Sequence, residues 1–232
     1  MKPLILSILD LTKKEKNRML EIMNMVYEGV DANRFYDDLH TKKGIILMKD
    51  EAGIIQGFST YDFISTLYDG EKINAIFSGD TVIHPENWGS SALFQGFAEI
   101  VFQFHKNYPE GRHYWFLISK GVRTYLMLPI FFKTFYPCDK HITPLFEQQL
   151  IRYLCNMRFP GYLDIERGIL PFSRDRLRPI FQDLPLTLKK SSHSTFFLRT
   201  NPGFTKGEEL VCLCSLEWDN FTKKGLRFVK SH

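Results

Sequence analysis

The chain has 232 residues, 44% hydrophobic and 24% charged, a composition that fits a folded globular chain and excludes disordered and collagen-like classes. A length of this order suits one large domain, or one domain with an elaborated tail. The net charge of +4 is mild and no basic tract is long enough to argue for nucleic-acid binding, while apolar runs such as Tyr125 to Phe132 fall far short of the roughly 20 residues of a membrane span.

The apolar segment Leu4 to Leu9 reads as a strand. It is too short for a secretory h-region and meets Asp10 and a Lys-rich helix at once, so a cytoplasmic location without stable membrane insertion is expected. Thr12-Lys13-Lys14-Glu15 has the form of a capping box, and Met19, Leu20, Ile22, Met23, Val26, Tyr27 and Val30 follow at helical spacing. After a polar stretch from Asp31 to Lys43, three strand-like runs (Gly44 to Lys49, Ile54 to Leu67, Ile73 to His84) are separated by short turns and predict an antiparallel meander.

The period then changes. Leu93, Phe94, Phe97, Ile100, Val101 and Phe104 share a helical face, Asn107 to Gly111 break it, and His113 to Ser119 reads as a buried strand. Strand, helix and strand form a βαβ unit whose two strands lie side by side and parallel. Lys120 to Phe135 and Thr143 to Arg158 read as helices, Phe159 to about Lys190 as a Pro- and Arg-rich connector, and His193 to Thr200 with Glu209 to Leu216 as a hairpin. Cys138, Cys155, Cys212 and Cys214 lack the spacing of a zinc site, so buried reduced thiols and no metal are expected.

The chemistry concentrates in Ile76 to Phe97. A strand ends at Val82-Ile83-His84-Pro85, a small-residue turn of Gly89, Ser90, Ser91 and Ala92 follows, and a helix begins. Backbone N–H groups of the turn and first helical turn then converge where the helix dipole is positive, a cradle for phosphate. This segment resembles the GNAT superfamily of N-acetyltransferases, in which a strand ending in a Val-x-Pro-like step precedes Arg/Gln-x-x-Gly-x-Gly/Ala and a helix. Ile83-His84-Pro85-Glu86-Asn87 matches the first part and Gly89 is kept, whereas Trp88 stands where the family usually has Arg, Ser91 replaces a Gly, and Leu93 takes the last small position.

The resemblance covers roughly Leu4 to Pro137. It implies a single α/β (α+β) domain with a mixed, mainly antiparallel sheet flanked by helices: residues 1–137 as the core, 138–192 as a helical and Pro-rich insertion, and 193–232 as strands completing the sheet. It implies coenzyme A or acyl-CoA as co-substrate, held by Val82, Ile83, His84, Trp88, Gly89, Ser90, Ser91 and Ala92, with His113 to Ser119 splaying from its parallel neighbour.

An acyl thioester is already activated, so an N-acyltransferase must position and deprotonate an amine, stabilise an oxyanion and let the thiolate leave. Asp80 is the first choice of general base, with His84 as a second. Tyr125 is the nearest candidate for the thiolate-protonating tyrosine that the resemblance implies, and Ser119 is a candidate oxyanion donor or substrate contact. Each has a structural alternative: a satisfied carboxylate, a turn histidine, a packed tyrosine. The acceptor would be an amine of a small molecule, amino acid or peptide. Arg167, Arg174, Arg176 and Arg178 suit either an acyl carrier protein or surface ion pairs, and the 21 phenylalanines suit either a core or a long acyl chain. The alternative from another class is a GNAT-fold protein that binds a ligand or partner without catalysis.

Overall fold

The structure, a computed structural model, describes residues 1–172 and 175–229. In chain order, its first half runs β1 (Lys2–Ser7), α1 (Lys13–Val26), β2 (Tyr27–Glu28), α2 (Ala32–His40), β3 (Gly44–Lys49), β4 (Ile55–Tyr68), β5 (Glu71–Ile83), α3 (Ala92–Asn107) and β6 (Arg112–Ser119). Then follow α4 (Val122–Tyr125), α5 (Met127–Phe131), α6 (Leu145–Arg158), β7 (Ile169–Leu170), β8 (Arg176–Leu177), α7 (Pro179–Gln182), α8 (Leu186–Lys189), α9 (Ser192–Thr200), β9 (Glu209–Ser215) and α10 (Lys223–Val229).

Seven strands form one sheet in the order β1-β3-β4-β5-β6-β9-β7, antiparallel throughout except for β5 and β6. The meander is present as predicted, and its second turn places Asp69 at φ 50° and Gly70 at φ 76°, the left-handed pair of a two-residue hairpin turn. The βαβ unit is also present, with α3 linking the parallel pair. Helix α1 opens with the expected reciprocal cap: Thr12 Oγ1 accepts from the Glu15 amide at 3.2 Å and Glu15 Oε2 accepts from the Thr12 amide at 2.9 Å.

Apolar residues pack on both faces. One face, covered by α3, α5, α9 and α10, holds most of the phenylalanines, with Phe94 stacked on Phe131 at 3.3 Å and Phe97 against Trp115 at 4.4 Å. The other face carries two separate clusters, one under α1 and α2 and one under α6. All four cysteines are buried free thiols, and Cys212 and Cys214 face the first layer together.

Four expectations are corrected. His193 to Thr200 is helix α9, not a strand: Ser194 and Phe197 are its buried positions and Asn201 is buried at its C-cap, and spacings of three and four residues make a helical stripe. Only β9 of the C-terminal region therefore enters the sheet, whose outermost strand, β7, comes from within residues 138–192. The helix predicted from Lys120 to Phe135 is broken into α4 and α5, because Pro129 has no N–H to offer the Tyr125 carbonyl. Residues in the polar stretch after α1 form α2, capped by Asp31 Oδ1 on the Arg34 amide at 2.9 Å and anchored by buried Phe35 and Leu39.

Candidate active site

Strand β5 pairs with β6 only from Ile73 to Ser78. Beyond that point β6 continues along β9 to Ser119, while β5 continues along β4 to Ile83, so the parallel strands part and leave one edge of Gly79 to Ile83 without a strand partner. A bulge lies at the fork: Ser59 opposes Thr81 and Tyr61 opposes Ser78, so Gly79 and Asp80 together face the single residue Thr60. The extra residue changes the parity of the strand. Phe77 and Asp80, which an unbroken alternation would put on opposite faces, both face α2 and α6 and line one cleft. Gly79 is required here, since a Cβ would lie 2.6 Å from Thr60 Oγ1 and 2.7 Å from Lys42 Cε.

Three cavities meet at the fork. A central cleft of about 360 Å³ lies on the α2 and α6 face, a flank cavity of about 110 Å³ lies between the end of β5 and α4, and an apex cavity of about 20 Å³ sits between the parted strands. Thr81 of β5 and Thr124 of α4 line all three. The Thr81 hydroxyl is bonded to Ser59 Oγ at 2.8 Å, whereas that of Thr124 has no hydrogen-bond partner among the described residues.

The central cleft is strongly charged. Lys42 Nζ, buried, meets Asp38 Oδ2 at 2.5 Å, and Lys120 Nζ meets Asp175 Oδ2 at 2.5 Å and Glu209 Oε1 at 3.3 Å. Burial works against the charge of Lys120, but the Glu209 and Asp175 carboxylates outweigh it and hold the ammonium protonated. Asp80 makes no hydrogen bond or ion pair among the described residues. Its burial, and next the Asp38 carboxylate, raise its pKa from 3.8 to about 6 against the pull of Lys120 and Lys42. Burial likewise raises the Glu209 carboxyl and the phenol of Tyr27, which lines both the central and flank cavities.

The turn before α3 partly fits a phosphate. Gly89 sits at φ 102°, and its amide and that of Ser91 find no acceptor among the described residues, as do first-turn amides of a helix in general. Ser90 Oγ is taken by the Ala92 amide at 3.3 Å and Ser91 Oγ by Gln95 Nε2 at 3.0 Å. Trp88 turns back onto the strand, donating from Nε1 to the Ile83 carbonyl at 2.9 Å, and packs on Phe181. Over its ring, at 4.1 Å, lies the Arg123 guanidinium, which lines the flank cavity without a carboxylate partner among the described residues. The charge that Trp88 lacks is thus present nearby, supplied from α4.

Of the predicted residues, Asp80, Val82, Ile83 and Trp88 line these cavities. Tyr125 does not. It is wholly buried among Phe135, Phe196 and Phe197, and its hydroxyl donates to the Pro137 carbonyl at 2.9 Å. One position on a helix turns a side chain by about 100°, which is why its neighbour Thr124 faces the fork instead. Ser119 is also buried, bonded to the Gly121 carbonyl at 3.0 Å, and His84 caps a short 3-10 turn with its Nδ1 lacking a hydrogen bond; neither lines a cavity described above. The arginines do not cluster: Arg167 pairs with Glu208, Arg176 with Glu28, and Arg178 holds the Asn24 carbonyl, while Arg174 lies outside the described residues.

Tyr27, Thr81, Lys120, Arg123, Thr124, Asp175 and Glu209 were not singled out from sequence. A signal existed for some: Lys120 directly follows the predicted strand His113 to Ser119 and Thr124 adjoins Tyr125. Asp175, 55 residues from Lys120, carried none.

The single parallel pair in a mainly antiparallel sheet, splayed beyond a bulge, is the mixed sheet flanked by helices that the resemblance implied. No protein-family model and no curated protein matches the sequence. Among solved structures, the chain is similar to a conserved protein of unknown function from Enterococcus faecalis V583 at 12% identity and TM-score 0.43, over 58% of this chain and 33% of that one. It is similar to a Trypanosoma brucei acetyltransferase at 15% identity and TM-score 0.39, over 62% and 99%. It is also similar to a GNAT family N-acetyltransferase from Escherichia coli, solved in complex with CoA, at 10% identity and TM-score 0.37, over 52% and 64%. The chain thus spans about a third of the length of the Enterococcus protein.

Proposed function

We propose that the protein transfers a short acyl group from an acyl-CoA thioester to an amine. The observation that carries this reading is the meeting of three cavities at Thr81 and Thr124, one suited to each part of such a reaction. The donor arm belongs in the flank cavity, along the unpaired edge of β5, with phosphates toward the Gly89 and Ser91 amides and Arg123. When bound, the thioester supplies an activated acyl carbon.

The chain's own residues do the rest. Asp80 holds the incoming amine and accepts its proton, for which a carboxyl titrating near neutrality is suited. The free hydroxyl of Thr124 donates to oxygen at the fork. Tyr27, standing between donor and acceptor cavities, returns a proton to the leaving group in the role that the family resemblance suggested for Tyr125.

The apex cavity, walled by Phe97, Trp115 and Leu117, has room for little more than one water-sized group, which favours acetyl over a fatty chain. The phenylalanines that suggested a long-chain site pack on one another instead. One observation favours the non-catalytic alternative: Trp88 already occupies the Ile83 carbonyl, an acceptor on the strand edge that the donor arm would use.

Thermal unfolding with CoA, acetyl-CoA and palmitoyl-CoA tests the donor. A native-state ligand at a hundredfold excess over Kd adds about 2.7 kcal/mol. CoA and acetyl-CoA should both raise Tm, Arg123→Ala should weaken the effect, and the palmitoyl chain should add nothing. No shift with any of them sinks the reading. A shift without amine-dependent turnover leaves the non-catalytic binder.

A further inference from the structure

We infer that the central cleft accepts a primary amine carrying a flat aryl group. The inference rests on the acyl-transfer reading only in naming that amine the acceptor. Four carboxylates, Asp38, Asp80, Asp175 and Glu209, surround two buried ammonium groups, Lys42 and Lys120. The two lysines are engaged by Asp38, Asp175 and Glu209, so Asp80 is left facing the cavity without a partner among the described residues. With Asp31, Arg34 and Arg158 also in the lining, the cleft holds five carboxylates against four cations, and the unpartnered carboxylate of Asp80 is the group that recognises a cation.

The same cavity has an aromatic wall. The bulge turns Asp80 to the side of Phe77, and both line the cleft, but Phe77 is 1% exposed and supports the wall from behind. Phe159 meets Phe77 edge to face at 5.8 Å, and Tyr162, 49% exposed, continues the wall to the mouth. Arg158 lies over the Phe77 ring at 5.1 Å, and its guanidinium is held by Thr41 Oγ1 at 2.9 Å and Asp62 at 3.8 Å, so it is not open to an anionic ligand. An aliphatic amine would leave this wall unused. An aryl group on the amine can lie against Phe159 and Tyr162, and the volume of about 360 Å³ lies at the lower end of small-molecule sites.

Titration calorimetry on the full chain at pH 7.5, without CoA, tests the inference with phenethylamine, n-butylamine and 3-phenylpropionate. Phenethylamine should bind at least about tenfold more tightly than either of the others, a difference of 1.4 kcal/mol. Asp80→Asn should remove that margin over the propionate. Phe159→Leu should weaken phenethylamine and leave butylamine unchanged, and Tyr162→Ala, at the exposed mouth, gives the same reading should Phe159→Leu fail to fold. Equal binding of the propionate would point to Arg34 at the rim and overturn the charge argument. Equal binding of butylamine, or no binding of any probe, would overturn the inference. Amine binding without a CoA shift in Tm leaves the inference standing and removes the donor, and a CoA shift without amine binding does the reverse.

Discussion

Asp80 carries opposite consequences for rate and for stability. As the proposed base it would work only when ionised, so turnover should rise with pH through about 6 and be lost below it, measured as initial rate against pH. The folded chain holds the Asp80 proton more tightly than the unfolded chain, so this residue's penalty on stability is absent below the unfolded value of 3.8 and complete above about 6. Asp80→Asn should therefore abolish turnover while raising stability at pH 7.5 by on the order of 2 kcal/mol, with the two proteins converging below pH ~4. Equal stability at both pH values in denaturant melts would contradict the burial argument. The two tyrosines separate in the same way. Tyr125→Phe should cost about 1 kcal/mol by losing the bond to Pro137 and leave turnover intact, whereas Tyr27→Phe should lower turnover with little change in Tm.

The bulge in β5 is the element that builds the site, and it was not legible in the sequence. Alternation through Ile73 to His84 predicts the strand but not the one extra residue at Gly79-Asp80, because a bulge is set by register against β4. Asp80, chosen from its place ahead of the strand end, does line the cleft, whereas Tyr125 lies in the core because the helix phase was not readable. The meander, the βαβ unit and the capping box were readable because each rests on local periodicity, turn residues or caps. Helix α9 was misread since a run of Phe196, Phe197 and Leu198 carries no clear period of its own. Gly79→Ala tests the bulge directly. Its Cβ would press on Lys42 and Thr60, so a loss of about 1–3 kcal/mol is expected together with loss of turnover. Full activity and an unchanged Tm would show that Gly79 is dispensable.

At the scale of the molecule, the segment expected as an insertion is part of the site wall. It supplies β7 to the sheet, Phe159 and Tyr162 to the cleft, and Asp175 to Lys120, and β8 pairs with β2 to draw it across the fork. None of this was legible, since each contact joins residues far apart in sequence. Two ion pairs on this segment should differ in weight. Asp175 and Lys120 are 16% and 12% exposed, so Asp175→Ala should cost on the order of 2–4 kcal/mol by leaving a buried ammonium with one partner. Arg176 is 57% exposed in its pair with Glu28, so Arg176→Ala should cost under about 1 kcal/mol. Comparable losses in urea melts would mean that the segment is held otherwise.

The most direct test of the reaction at the fork is the release of free thiol from acetyl-CoA, followed with phenethylamine present or absent, for the parent chain and Asp80→Asn. Amine-dependent release that Asp80→Asn abolishes is the predicted result. Release that ignores the amine, or none at all from a protein whose Tm acetyl-CoA raises, would contradict it.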